Sequence, residues 1–400
     1  MALGLLDRGY RVTLMTDRDS DAIVRGRVMS SQCVFGEALQ IEQTLGSHCW
    51  TDTCPPVEGI GLAVPHPEQP GRKAIDWAAR LDRNAMSVDQ RIKMSVWLNE
   101  AQSRGAEVVL REAGVVELES LAASHDLVLV SAGKGSVVDL FPRDADRTLF
   151  NKPQRALALT YLHGLTPAAD FSRVAFNIIP GVGECFIFPA LTLSGPCHIL
   201  MFEGIPGGPM DCFNDVSSPS EHLERSLVLL KNYLPWEHAR CARAQLTDEH
   251  ATLSGRFTPG VRQPVATLPS GRHVLGMADA LVLNDPVTGQ GANSAIKCCE
   301  IYLDAILRSG DAPFSADWML KTFERYWDYA RYVVQWTNSM LMPPPAHILK
   351  VFAAAGEHPS LASSIANAFD DPRDFFPWFL DASESERFIA SHSDVRRMGA

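Results

Sequence analysis

The chain has 400 residues, 46% of them hydrophobic, with 36 basic against 47 acidic side chains and a formal net charge of −11. That is enough apolar material for a large core and, at about 150 residues per domain, for two or three units. The acidic balance, with no basic run beside interleaved aromatics, argues against a nucleic-acid partner. No apolar run of about 18 residues is present for a membrane span, nor a leader with a charged, then apolar, then small-residue pattern, so a cytoplasmic protein is expected. Nine cysteines lack a C-x-x-C pair and read as reduced core residues. Twelve histidines show no zinc-type spacing, so no metal is expected.

In chain order, a short helix is expected over Ala2 to Leu6, a stop at Gly9, and an apolar strand from Val12 to Met15. That is half of a βαβ unit, whose first strand and glycine turn would lie upstream of the helix in which the chain begins. The apolar stripe from Val88 to Arg104 predicts a helix closed by Gly105, followed by a strand at Glu107 to Leu110 and a buried parallel strand from Asp126. Between Lys152 and Pro269 the runs "RALALTYL", "ECFIFPALTL" and "CHILMFEG", separated by Gly/Pro turns, predict an antiparallel sheet. One helix interrupts them, with Ser218 as N-cap, Pro219 at N1 and Glu221 at N3, and its leucine face should cover that sheet. "HVLGMAD" (His273 to Asp279) returns to the buried-strand pattern. A helix from Gly291 to Arg308 and another from Trp318 to Met342, ended by three prolines, complete the set.

The expected fold is therefore α/β: a Rossmann-like parallel-sheet domain carrying an inserted antiparallel sheet and C-terminal helices. The expected divisions are 1–149 for the first part of the dinucleotide-type domain, 150–270 for the sheet domain, 271–310 for the second part, and 311–400 for the helical end.

The chemistry concentrates between Gly276 and Asn293. A buried strand end places Asp279 where its carboxylate accepts hydrogen bonds from hydroxyls, or caps a turn. Pro286 shapes the following turn, and Gly289 and Gly291 let the backbone approach a flat ring. The free N–H groups of Gly291, Ala292 and Asn293 open a helix whose positive tip suits an electron-rich group. The plainer alternative is an ordinary capped turn followed by an ordinary helix start.

The series Gly276, Asp279, Ala280, Asp285, Pro286, Gly289, Gln290, Gly291 and Asn293 resembles the C-terminal flavin motif of class A-type FAD monooxygenases. Within them the chain looks most like the FAD-dependent oxygenase component of styrene and indole monooxygenases, through "FNKPQRAL" (Phe150 to Leu157), "PGVGE" (Pro180 to Glu184) and "WTNSML" (Trp336 to Leu341) as well. The resemblance implies a FAD-binding domain of the glutathione-reductase type, FAD delivered in reduced form by a separate NADH:flavin oxidoreductase, and a two-component epoxidase that uses molecular oxygen. In that family oxygen is transferred through a flavin C4a-hydroperoxide to an electron-rich double bond, and no side chain acts as acid, base or nucleophile. A homodimer is a further implied property. The family holds the FAD diphosphate on a G-x-G-x-x-G turn after its first strand, and no such turn stands at this N-terminus. A chain shortened at its start is the expectation.

The resemblance also implies that Asp17 and Arg18 reach the adenosine half of FAD, and that Arg27, Arg91 and Asp126 lie near the cofactor. Each of these equally suits a surface turn or ion pair. Gly133 and Lys134 are a second candidate turn. For substrate, the family positions correspond to Ser30, Gln32, Val34, Val57, Ile60 and Ala85, which look like the indole branch. Ser30 and Gln32 offer polar contacts, and Val57 and Ile60 an apolar wall for a flat bicyclic ring. Two readings stay open beside this one: a single-component NAD(P)H-dependent aromatic hydroxylase, and a cofactor-free relative that keeps only the fold. No W-x-W-x-I-P stretch favours a flavin halogenase.

Overall fold

The computed structural model describes residues 1–46, 50–133 and 135–393. Helix α1 (Ala2–Leu6) is followed by β1 (Thr13–Thr16), α2 (Ser20–Arg25) and α3 (Gly36–Thr44). Two long strands, β2 (Val57–Pro65) and β3 (Lys73–Ala85), precede α4 (Gln90–Ser103) and β4 (Glu107–Leu110). Strand β4 lies parallel to β1, with Thr13 opposite Glu107, as the apolar stripe and the Gly105 stop require. After α5 (Val115–Ser124) comes β5, which is only Leu129–Val130. It is shorter than its apolar run because its parallel partner presents only Leu275 and Gly276 to it.

Strands β6 (Ala156–His163), β7 (Arg173–Ile179), β8 (Gly183–Thr192) and β9 (Gly195–Gly204) follow, then α6 (Pro219–Tyr233) and α7 (Pro235–Arg240). The chain continues through the short strands β10 (Gln245–Leu246), β11 (Thr252–Gly255), β12 (Gly260–Val261), β13 (Val265–Thr267), β14 (His273–Gly276) and β15 (Val282–Leu283). Five helices close it: α8 (Gly291–Ser309), α9 (Ala316–Met340), α10 (Ala346–Ala355), α11 (Pro359–Asn367) and α12 (Ala382–Ser393). Among the described residues, no helix is long and apolar enough to cross a membrane.

The dominant layer is one eight-stranded sheet in the order β10-β6-β9-β8-β7-β2-β3, with β11 also pairing β6. Its pairs are antiparallel except β2 beside β7. The antiparallel texture expected for 150–270 is present, but β2 and β3 join the same sheet from inside the 1–149 stretch. Glycine hides this in the sequence. A Cβ at Gly59 would stand 2.3 Å from the Phe171 ring and 2.4 Å from the Ala79 carbonyl oxygen, so β2 carries glycine where a neighbour packs against bare backbone.

Side-chain alternation divides the sheet between two cores. On β9, Leu200 and Phe202 face Leu162, Ile187 and the α6 residues Leu229 and Leu230. Helix α6 starts as expected, with Ser218 accepting from the Glu221 amide and Pro219 in the first turn. The alternate residues Ile199 and Met201 turn to the other face, with Leu159, Phe176 and Phe186. Helix α9 joins that core to the one beneath β14: Phe323 and Tyr326 pack with Leu275, while Trp336 stacks on Phe375 at 4.0 Å in the sheet-side core.

Candidate active site

Strand β14 stops at Gly276 because only glycine fits there. An added Cβ would lie 2.4 Å from the Leu281 side chain and 3.1 Å from the Phe141 ring. The Gly276 carbonyl accepts from the Tyr302 hydroxyl at 3.0 Å, and Ala278 takes a positive φ of 50°, a left-handed geometry that a residue with a Cβ adopts at a cost of order 1–3 kcal/mol. This turn points Asp279 into a cavity. Among the described residues its carboxyl accepts no hydrogen bond. The side chain is open to the cavity, yet the surrounding walls keep most bulk water away, and that desolvation pushes the carboxyl up to about 6.

The next turn is fastened from several sides. Asp285 accepts from the Val287 amide at 3.2 Å, and the hydroxyls of Thr288 and Thr337 meet at 2.7 Å. Gln290 donates to the Phe369 carbonyl at 2.9 Å. Asn293 donates to the carbonyls of Cys33 and Gly289, each at 2.9 Å, and accepts from the Phe35 amide at 2.9 Å. Gly289 sits at φ 66°, in the left-handed region that favours glycine. Helix α8 then starts with no side-chain cap from Gln290. The amides of Gly291, Ala292 and Asn293 meet no protein acceptor among the described residues, so the helix tip presents its partial positive charge outward.

That tip opens on a cavity of about 550 Å³, within the ordinary range for small-molecule sites. Asp279, Pro286, Gly289, Gly291 and Ala292 line one end. A Cβ built at Gly289 or Gly291 meets nothing within 4 Å, so this floor is bare backbone facing empty space. The far wall is the large sheet, with Leu159, Val174, Phe176, Phe186, Phe188 and Met201. Phe176 and Phe186 stack at 4.6 Å.

Ser30, Gln32 and Ile60 also line the cavity. The Ser30 hydroxyl is buried without a partner among the described residues, and the Ser30 carbonyl accepts from the Tyr161 hydroxyl at 3.0 Å. Gln32 differs from expectation: its amide donates to the Val88 carbonyl in the wall. Val34, Val57 and Ala85 stand one layer behind the lining, Val34 bridged to Met86 and Val57 opposite Ala85, all at 1% exposure or less.

Arg91 is not in the cavity. It is buried, holding Asp89 at 2.7 Å and Asp248 at 2.9 Å, with further contacts to Thr192 and the Gly26 carbonyl. All its donors are engaged within the protein. Asp17, Arg18, Arg27 and Asp126 are exposed outside the cavity, Asp17 and Arg18 paired loosely at 3.7 Å. The side chains of Gln290 and Asn293 hold the turn instead of lining the space. Gly133 abuts Asp279, where a Cβ would approach the Asp279 Cβ to 3.1 Å, and Lys134 lies outside the described residues. The aromatic wall was missed from sequence, although the alternation of Leu157 with Leu159 and of Phe186 with Phe188 marks one inward face.

Residues 133–240 match the family described as the styrene monooxygenase A putative substrate binding domain. Styrene monooxygenase StyA of Pseudomonas fluorescens is 25% identical over 383 residues, covering 93% of this chain and 90% of the relative. Among solved structures, the flavin-dependent brominase Bmp2 is similar with a TM-score of 0.63 at 13% identity, over 99% of this chain and 96% of that one. A flavoprotein/dehydrogenase from Cytophaga hutchinsonii reaches 0.65 at 11% identity, over 100% and 96%. A Rossmann-like α/β domain with an added antiparallel sheet is the architecture in common. The cavity and the unpartnered helix amides thus stand beside a sequence likeness to styrene monooxygenases and a fold likeness to flavin-dependent enzymes. The likeness to styrene monooxygenase runs along nearly the whole length of the chain.

Proposed function

We propose that this chain epoxidises an aromatic alkene or indole, adding one oxygen atom of O2, with reduced FAD delivered by a separate NADH:flavin oxidoreductase. One observation supports this above all: a single cavity has free helix amides and a carboxyl at one end and a wall of phenylalanines at the other. The residues present suit a flavin ring, because the glycine floor leaves open the space that a Cβ would take. When bound, reduced flavin supplies the activation of oxygen for transfer of one atom to an electron-rich double bond.

The protein's own part is binding, orientation and dryness. The amides of Gly291, Ala292 and Asn293 favour negative charge at the ring edge they face. Asp279, free of protein partners, accepts hydrogen bonds from hydroxyls of the cofactor chain. Phe176, Phe186 and Phe188 exclude water and offer flat apolar surface to an aromatic substrate. The orphaned Ser30 hydroxyl suits a ring N–H such as that of indole.

The test is flavin titration of the purified chain, followed by indole turnover to indigo with a supplied reductase, NADH and oxygen. Turnover above that of reductase and free flavin alone supports the reading. Flavin binding no tighter than that of Gly291→Val overturns it. Reduction of bound flavin by NADH without the partner would move the assignment to a single-component hydroxylase.

A further inference from the structure

Directly behind the Pro286–Gly289 turn, the sheet buries more acid than base. Glu203 on β9 is fully buried, and neither of its carboxyl oxygens meets a donor among the described residues. Its carboxyl lies within hydrogen-bond reach of Asp285, the residue that opens the turn. On neighbouring strands, Glu184 stands opposite Glu203 and is held in a two-pronged pair by Arg155 at 2.7 and 2.9 Å. Arg155 also donates to the Leu341 carbonyl at the end of α9. The groups facing one another here are therefore Glu203, Glu184, Asp285 and Arg155: three carboxyls and one guanidinium. Arg155 is committed to Glu184, so Glu203 and Asp285 in contact cannot both be ionised. Burial pushes both carboxyls up, and the neighbouring Asp285 charge pushes Glu203 further, while the contact with Glu203 draws Asp285 back down. Asp285 already accepts from the Val287 amide, which leaves the shared proton on Glu203.

We propose that Glu203 is a positioning residue: as a neutral acid it donates to the Asp285 carboxylate and clamps the Pro286–Gly289 turn to the substrate sheet. The clamp ties the glycine floor at one end of the cavity to the strand that carries Met201 at the other. It rests on the flavin reading only in what the turn is for, not in the existence of the bond. Glu203→Gln keeps a donor and the same net charge, whereas Glu203→Leu removes the donor at similar volume.

The experiment uses the flavin-free full chain first. Infrared spectra at neutral pH should show the carbonyl band of a buried neutral acid, lost in Glu203→Gln. Amide exchange across residues 287–291 should be faster in Glu203→Leu and unchanged in Glu203→Gln. The folded acid holds its proton above the ordinary carboxyl range, so wild-type stability falls as pH rises beyond that range, and Glu203→Gln should flatten this slope. With FAD added, Glu203→Leu should bind about tenfold more weakly and Glu203→Gln within about twofold of wild type. A band that survives in Glu203→Gln, or turn exchange equal in both variants, overturns the proposal. A wild-type chain that shows the band and the exchange contrast but binds no flavin overturns the functional reading alone.

Discussion

The side-chain oxygen of Asn293 accepts a hydrogen bond from the Phe35 amide at 2.9 Å, across 258 positions of sequence. The Asn293 side-chain nitrogen donates to the carbonyls of Cys33 and Gly289, so one side chain joins the segment before α3 to the glycine turn. Both segments line the cavity. Asn293→Ala should leave a buried amide and two carbonyls unpaired and cost about 2–4 kcal/mol, read from denaturant midpoints. Asn293→Asp keeps the acceptor and loses both donors, so it should also destabilise, and neither variant should match wild-type flavin affinity. Wild-type stability in Asn293→Ala would mean that the two segments are held by other contacts.

Gly291→Val separates folding from binding. An added Cβ meets nothing within 4 Å and sits at an unstrained helix start, so the unfolding midpoint should stay within about 0.5 kcal/mol of wild type. It projects over the cavity floor, and flavin affinity measured by fluorescence quenching should fall at least about tenfold. Equal affinity in the two proteins would remove the flavin ring from this floor.

Much of this turn is legible in the sequence because its constraints are local. Pro286, Gly289 and the start at Gly291 are fixed by turn and helix chemistry, and the observed boundaries follow them. Arg91 shows the opposite case. Its partner Asp89 is two residues away, but Asp248 reaches it only through the fold, and sequence gives no sign that the guanidinium is already occupied. The Phe176 and Phe186 wall is legible as strand alternation but not as a site, because its role depends on which core the inward face meets. Val34, Val57 and Ala85 lie outside the cavity lining for a related reason: spacing identifies a wall, and packing decides which layer of it faces the cavity.

Arg91 is therefore a stability residue in this fold. Arg91→Leu would strand the fully buried Asp89 carboxylate and should cost about 3–5 kcal/mol. Adding Asp89→Leu should recover part of that loss, because the unpaired charge is then gone. Denaturation of the two variants tests this. A single variant that keeps wild-type stability but loses flavin binding would return Arg91 to the cofactor.

Asp279 gives the fold a pH dependence with a defined sign. Desolvation by the cavity walls lifts its carboxyl to about 6, above the ordinary Asp value of about 3.9. Between those values the folded chain binds more protons than the unfolded one, so this group's contribution to stability falls as pH rises through the window and is flat above it. Asp279→Asn should remove that part of the slope. Binding should run the other way: the ionised carboxylate is the stronger acceptor for hydroxyls, so wild-type flavin affinity should rise between pH 5 and pH 7. Flavin titrations at the two pH values, repeated with Asp279→Asn, check both signs. The variant should bind with little change between them, and an equal rise in the variant would place the titrating group elsewhere.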